Sequence, residues 1–307
     1  MKLSVVLATR NEEKNIGPCL ESVKELLADL PAQAGEIVVA DESSIDKTRE
    51  IAKDYGAKVY KVAHEPIFHK TKQEALELAM GDWILQLDAD ERVTPELARE
   101  IKKVIGMTDR EIAEYQKLQN SKHPKLQKLF ERHQRLVEER DVDKGGRRPV
   151  GPLARREVVA FFIPRRNYFL GKPLIHAGVY PDGQIRLVKK GKAHFPAKSV
   201  HEQMQIDGEV AWLFNDLEHH DSPTLKRYLK RMNRYTDLHA RELAEKKVPK
   251  NFWALFRYSV LLPASYFLLL YFRHKGFLDG IRGFLWSFFS AMHFPLAYFK
   301  YWQLGEV

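Results

Sequence analysis

The first hundred residues alternate short apolar runs with helical spacing, and that alternation leaves few folds open. Residues 3–8 (LSVVLA) are too few for a buried helix and too apolar for a half-exposed strand. They fit a strand buried on both faces of a parallel sheet. Residues 12–30 then place Ile16, Leu20, Val23, Leu26 and Leu27 at helical spacing. The same signals recur as strands at 36–40, 58–62 and 83–87 and as helices at 46–55 and 71–80. Gly56 ends the second helix, and Gly81, just past the third, is expected to form a left-handed cap. This order predicts an α/β fold, a mostly parallel sheet with helices on both faces. Ligands of such sheets bind beyond the carboxyl ends of the strands.

The rest of the chain changes character twice. Residues 102–156 are rich in Lys, Arg, Glu and Gln and end in KGGRRPVGP, which reads as a charged helical insertion followed by a loop. It is either a solvated surface or a basic arm for lipid headgroups or a phosphate-bearing acceptor. Strand character returns at 158–164, and residues 165–201 are loop-rich around a short strand at 184–188. Residues 225–247 form a charged amphipathic helix. The tail holds two charge-free runs, 258–272 and 283–299, separated by RHKGFLDGIR and dense in aromatic residues. A spanning helix needs about 20 residues, so these runs predict a membrane-embedded or interfacial helical hairpin. The expected divisions are 1–101, 102–156, 157–222 and 223–307.

Composition narrows the setting. Hydrophobic residues make up 44% of the 307, enough for a substantial core. The single cysteine, Cys19, cannot form an intramolecular disulfide, which favours a reducing compartment and leaves it as a small packing residue. The amino-terminal apolar run is too short for a signal-peptide core, so the catalytic part is expected in the cytosol. The formal charge of +9 suits nucleic acid, anionic lipid or phosphate-rich substrates. No RNA- or DNA-binding motif accompanies it, and nucleic acid is not expected as a partner.

Three strand ends carry the chemistry. LDADE (residues 87–91) follows a strand with Asp88 and Asp90 at i and i+2, where both can converge on Mg²⁺ or Mn²⁺, which prefer oxygen ligands. VVLATRNEE (5–13) delivers Thr9, Arg10, Asn11 and Glu12 to the same edge. VVADESSIDKT (38–48) adds Asp41, which can accept hydrogen bonds from a base or ribose, and Ser43, Ser44, Asp46 and Thr48. Asp46 reads equally as a helix cap.

In this order and spacing, the motifs resemble the family 2 glycosyltransferases with the Rossmann-like GT-A fold. The resemblance implies that Thr9, Asn11, Glu12 and Asp41 cradle the nucleotide of a nucleoside-diphosphate-sugar, usually a UDP-sugar in this family. It makes Asp88 and Asp90 the metal pair, Asp90 the more direct ligand, and turns Lys72 toward the donor. One departure is visible: the usual acidic-Asp-Gly-Ser turn reads DESS, without glycine. FFIPRRNYFLG, YPDGQIRLVKK, VHEQM and KGFLDGIRGF also resemble a bacterial subgroup, the lipopolysaccharide core β-glucosyltransferases and related envelope enzymes.

Such transfer passes through an oxocarbenium-like centre as a nucleoside diphosphate leaves, and a carboxylate takes the acceptor proton. With inversion, base and leaving group lie on opposite faces of the sugar, so the base comes from another segment than the metal pair. Glu202 in VHEQM is the leading choice, with Asp182 and Glu91 competing, and His201 completes the metal shell or positions the acceptor. Gln184 and Arg186 alternate on a strand and face the acceptor or diphosphate, unless Arg186 is a structural ion pair. Arg165 and Arg166 serve acceptor phosphates or a solvated face, and His219 and His220 read as helix-start residues without a role. The partners that follow are a nucleotide-sugar, a glycolipid or oligosaccharide acceptor of the lipopolysaccharide-core kind, and an anionic membrane surface. The expected place is the cytoplasmic face of the inner membrane. A polyprenyl-phosphate acceptor competes. A nucleotidyltransferase would carry a Gly-rich basic loop that ATRNEEKN does not supply, and a non-catalytic membrane-associated nucleotide binder is the alternative of another class.

Overall fold

In the computed structural model, residues 1–28, 30–31, 34–65, 67–143, 157–195 and 204–304 are described. They fall into two compact units, Met1–Arg165 with Pro181–His219, and Arg166–Tyr180 with His220–Val307.

The first unit is built on strands β1 (Leu3–Thr9), β2 (Gly35–Asp41), β3 (Lys58–Lys61) and β4 (Trp83–Leu87). These are parallel, in the order β3-β2-β1-β4. Every residue of β1 and β4 is buried, as a strand covered on both faces requires. Helices α1 (Ile16–Ala28), α2 (Thr48–Asp54) and α3 (Phe68–Leu78) connect them. The apolar positions of α1 named above join β1 and β4 in the main core, and α3 closes a second cluster through Ala75 and Leu76. The sheet thus has cores on two sides, as the alternation predicts.

The short strand β5 (Glu91–Val93) leads into helices α4 (Pro95–Ile105), α5 (Asp109–Lys122) and α6 (Pro124–Asp143). The expected boundary at residue 101 falls inside α4. Ile101, Val104 and Ile105 are buried in the main core, so the α/β core runs past that point. The charged composition of the stretch hides this apolar stripe, which extends through Ile112 and Tyr115. Thr94 caps α4, and Thr108 with Glu111 forms a capping box on α5.

Strand β6 (Val158–Phe169) turns at β7 (Lys172–Pro173), and β8 (Asp182–Lys189) pairs antiparallel with both β4 and β6. Then come β9 (Ala193–His194) with β10 (Gln205–Ile206), β11 (Glu209–Trp212) parallel to β6, and β12 (Leu217–Ser222). Leu217, Glu218 and His219 pair antiparallel with β5. His219 therefore belongs to a strand, not to the start of a helix.

Gly81 is not a left-handed cap. Its φ lies outside the left-handed set, and α3 ends earlier, at Leu78. A Cβ there would lie 2.6 Å from the Ser4 backbone nitrogen, so close approach to β1 is what requires glycine. Gly56, by contrast, has φ +76°.

The second unit holds α7 (Leu225–Glu245) and two further helices, Phe252–Arg273 and Gly280–Gln303. The two charge-free runs lie within these last two helices, joined by a short turn as a hairpin. Residues 166–180, expected in the division 157–222, cluster with these helices instead.

Candidate active site

The parallel register sets Thr9 beside Asp41 and ends β4 at Leu87, so three loops leave the sheet at one edge. The first two loops are zipped together by short polar side chains. Thr9 Oγ1 donates to Asp41 Oδ2 at 2.9 Å, and the Ser44 amide and hydroxyl donate to the same carboxylate at 2.8 and 2.5 Å. The Asn11 amide donates to Ser44 Oγ, the Glu12 amide to Thr48 Oγ1 and the Glu13 amide to Asp46 Oδ2. Asn11 Oδ1 accepts from the Ile45 amide in return. Asp41 is fully buried, so its carboxylate shapes the loop from within. Asp46 also accepts from the Thr48 amide at the start of α2. At the glycine-lacking position of DESS, Ser43 has φ +54°, so serine holds the left-handed turn.

Beside these loops lies a dense charge cluster. Lys72 Nζ, on α3, is 2.5 Å from Asp88 Oδ1, and Arg186 Nη2, on β8, is 2.6 Å from Asp88 Oδ2. Arg186 reaches Glu91 Oε1 at 2.7 Å with the same nitrogen and donates to Gln86 Oε1 through Nη1. Glu91 is fully buried, accepts from the Asp88 amide at 3.0 Å, and takes Arg165 Nη1 at 3.3 Å. Its carboxylate oxygens are thus both engaged within this network. Arg165 Nε and Nη2 both donate to Asp182 Oδ2, and Gln184 Nε2 donates to Asp182 Oδ1 at 2.9 Å. Burial opposes the Asp88 charge, yet Arg186 and Lys72 hold its carboxyl well below the usual range. Burial disfavours the Arg186 charge too, but Asp88 and Glu91 keep the guanidinium firmly protonated. Arg186 thus stands in an ion-paired cluster at the edge where β4 ends. Cys19 packs beneath the turn, its Sγ 3.7 Å from the Asp88 carbonyl. Burial, with Glu91, Asp90 and Asp88 nearby, pushes its thiol up, which keeps it protonated and inert.

Asp90 meets a different partner from Asp88. Its Oδ1 is 3.6 Å from His219 Nε2, and the two side chains are 16% and 13% exposed. Burial and the Arg165 charge hold the His219 imidazole well below its ordinary pKa, in the neutral form that ligates metals. Sequence reasoning gave His219 no role. The signal that finds it is period two, since Leu217 and His219 share one face of β12 and Leu217 is fully buried. His201 and Glu202 lie outside the described residues. The structure thus gathers Thr9, Asn11, Glu12, Asp41, Lys72, Asp88, Asp90, Asp182, Gln184 and Arg186 within one compact unit.

Comparison with known proteins follows the same residues. The model of the family "Glycosyl transferase family 2" matches residues 4–169. A lipopolysaccharide core biosynthesis glycosyltransferase, LpsC of Rhizobium meliloti, is 23% identical over 99% of this chain and 93% of its own length. An uncharacterized glycosyltransferase of Rickettsia typhi is 35% identical over 34% of this chain, which spans only 33% of that relative. Among solved structures, residues 1–349 of S. aureus TarS with UDP-GlcNAc match at 15% identity over 94% of this chain and 79% of that one, with a TM-score of 0.44.

Proposed function

The chain belongs to glycosyl transferase family 2, and from that premise we propose an inverting, metal-dependent transfer of sugar from a UDP-sugar to a cell-envelope glycolipid or oligosaccharide. The acceptor is of the lipopolysaccharide-core kind, as the name of the Rhizobium relative suggests, and the reaction takes place at the cytoplasmic face of a membrane. The observation that carries the reading is the split character of the Asp88-Ala89-Asp90 turn: Asp88 is gripped by Lys72 and Arg186, whereas Asp90 faces His219.

A carboxylate oxygen and a neutral imidazole nitrogen form a donor set that suits Mn²⁺ or Mg²⁺. Asp90 and His219 would hold the ion, alongside the expected His201. When bound, it supplies positive charge against the leaving diphosphate. The chain's own residues do the rest. Lys72 and Arg186 add fixed cations whose Asp88 partner can be exchanged for phosphate oxygens. The zipped loops present Asn11 and Glu12 to the nucleotide, with Asp41 and Thr9 fixing their shape. Asp182 is engaged by Arg165 and Gln184, and Glu202 is the base we assign to the acceptor proton. The apolar helices of the second unit keep the enzyme at the membrane that carries its acceptor.

Isothermal titration with UDP and with GDP, each with and without Mn²⁺, tests this. Metal-dependent binding of UDP that disappears in the Asp88→Ala/Asp90→Ala protein is the expected result. Equal binding with and without metal, or in that variant, overturns the metal assignment.

A further inference from the structure

We propose that the C-terminal hairpin is a monotopic anchor: it lies in one leaflet, and both ends of helix Phe252–Arg273 stay on the same side of an anionic bilayer. This rests on the membrane-association reading above and specifies its geometry.

Helix Phe252–Arg273 has 22 residues, and its most apolar window has mean hydropathy 1.4 with 11% of that window buried. At the α-helical rise of 1.5 Å per residue it would measure about 33 Å, and the π-helical stretches Arg257–Leu261 and Leu269–Arg273 shorten it toward the roughly 30 Å of a hydrocarbon core. Length therefore permits a crossing, and its neighbours forbid it. The helix runs antiparallel to Gly280–Gln303: Tyr258 stacks on Tyr298 at 4.8 Å, and Phe267 meets Phe284 edge-on at 5.9 Å. Helix Gly280–Gln303 in turn lies along α7. Tyr228, near the start of α7, contacts Trp286 at 5.7 Å, and Leu243, near its end, packs with Ala297 and Tyr298. Lys300 fastens the same pair through Asp237 at 2.6 Å.

A crossing hairpin would carry α7 into the hydrocarbon alongside it. Nine of the 21 residues of α7 are charged, and Lys226, Lys230, Arg234, Asp237 and Arg241 among them are exposed. Charges facing lipid at that density are incompatible with a spanning position. An interfacial position suits every face. Trp253, 74% exposed, with Leu261, Leu268, Phe272 and Ile281, offers apolar surface to the acyl chains. Lys246, Lys247 and Lys250 before the helix, and Arg273 and Lys275 at its end, are exposed and meet anionic headgroups.

The test is side-specific labelling of the full chain in a bacterial host, with single-cysteine variants Lys246→Cys and Lys275→Cys. Cys19 is buried, so the parent chain is the unlabelled blank. A membrane-impermeant maleimide is applied to spheroplasts and to inside-out vesicles. Both variants should react in inside-out vesicles, at least 10-fold more than in spheroplasts. If Lys275→Cys reacts only in spheroplasts, or only after detergent, while Lys246→Cys still reacts in inside-out vesicles, the monotopic arrangement is overturned. Recovery of the protein in the soluble fraction instead of the membranes removes the membrane reading itself, a result distinct from the other two.

Discussion

Lys72 Nζ and Asp88 Oδ1 are 2.5 Å apart, and only 10% of the lysine side chain is exposed. Together with Arg186, the lysine neutralises the first carboxylate of the metal-type turn before any ligand arrives. A hydrogen bond to a charged group is worth about 1.5–3 kcal/mol. Lys72→Met should therefore lower kcat/KM for the donor by about 10- to 100-fold, while Arg186 keeps Asp88 ionised and the protein folded. Steady-state kinetics alongside a thermal melt check this, and an unchanged kcat/KM in a folded variant would remove Lys72 from the donor site.

Asp90 and His219 stand 3.6 Å apart at the point where the proposed ion would sit. His219→Ala should raise the Mn²⁺ concentration for half-maximal activity by about 10- to 100-fold or more, the cost usual for disturbing a metal shell. Asp90→Ala should abolish metal-dependent activity. A Mn²⁺ titration of turnover reads both. If His219→Ala titrates like the parent while Asp90→Ala is dead, the histidine is only a neighbour.

Ser43 adopts φ +54° where related turns carry glycine. A left-handed backbone costs a residue with a Cβ about 1–2 kcal/mol, and glycine gives back about 0.5–1 kcal/mol through its freer unfolded chain. Ser43→Gly should thus be neutral to about 1 kcal/mol stabilising, despite losing the Ser43 Oγ bond to the Val62 carbonyl at 3.3 Å. Urea denaturation decides, and a loss above about 1 kcal/mol would mean that this hydroxyl outweighs the strain.

These residues also mark what was legible in the sequence. Strand β4 is read without error because Trp83–Leu87 is buried on both faces and bounded by Asp82 and Asp88. Asp88 and Asp90 are legible because the motif sits where a strand must end. The sequence alone holds Arg186 between two readings, since its partners Asp88 and Glu91 are about a hundred residues away and only β8 pairing beside β4 brings them together. His219 is hidden in the sequence for the same reason: β12 is recognisable only once β5 is there to pair with it. The buried stripe of α4 is hard to see in the sequence because Lys102 and Lys103 interrupt it and dominate the local composition.

Glu36 predicts how the fold responds to acid. Its side chain is 14% exposed and accepts from Ser4 Oγ at 2.6 Å, the Met80 amide at 2.6 Å and Lys58 Nζ at 2.7 Å. Burial acts against its charge, but Lys58, Ser4 and the Met80 amide prevail and hold the carboxyl below its ordinary value. A depressed native pKa contributes stability above the unfolded value, about 4.3, and loses it as pH falls through the native value. Glu36→Gln should therefore cost about 1–2 kcal/mol at pH 7, and the gap to the parent should narrow as pH falls below about 4. Urea midpoints of both proteins at pH 7 and near pH 3.5 measure the two gaps. A gap that stays constant would show that ionisation of the carboxyl contributes nothing, because glutamine keeps nearly the same shape and an acceptor oxygen for Ser4 and Met80. A gap that widens in acid would mean that the carboxyl is favoured in its protonated form, opposite to what its three donors require.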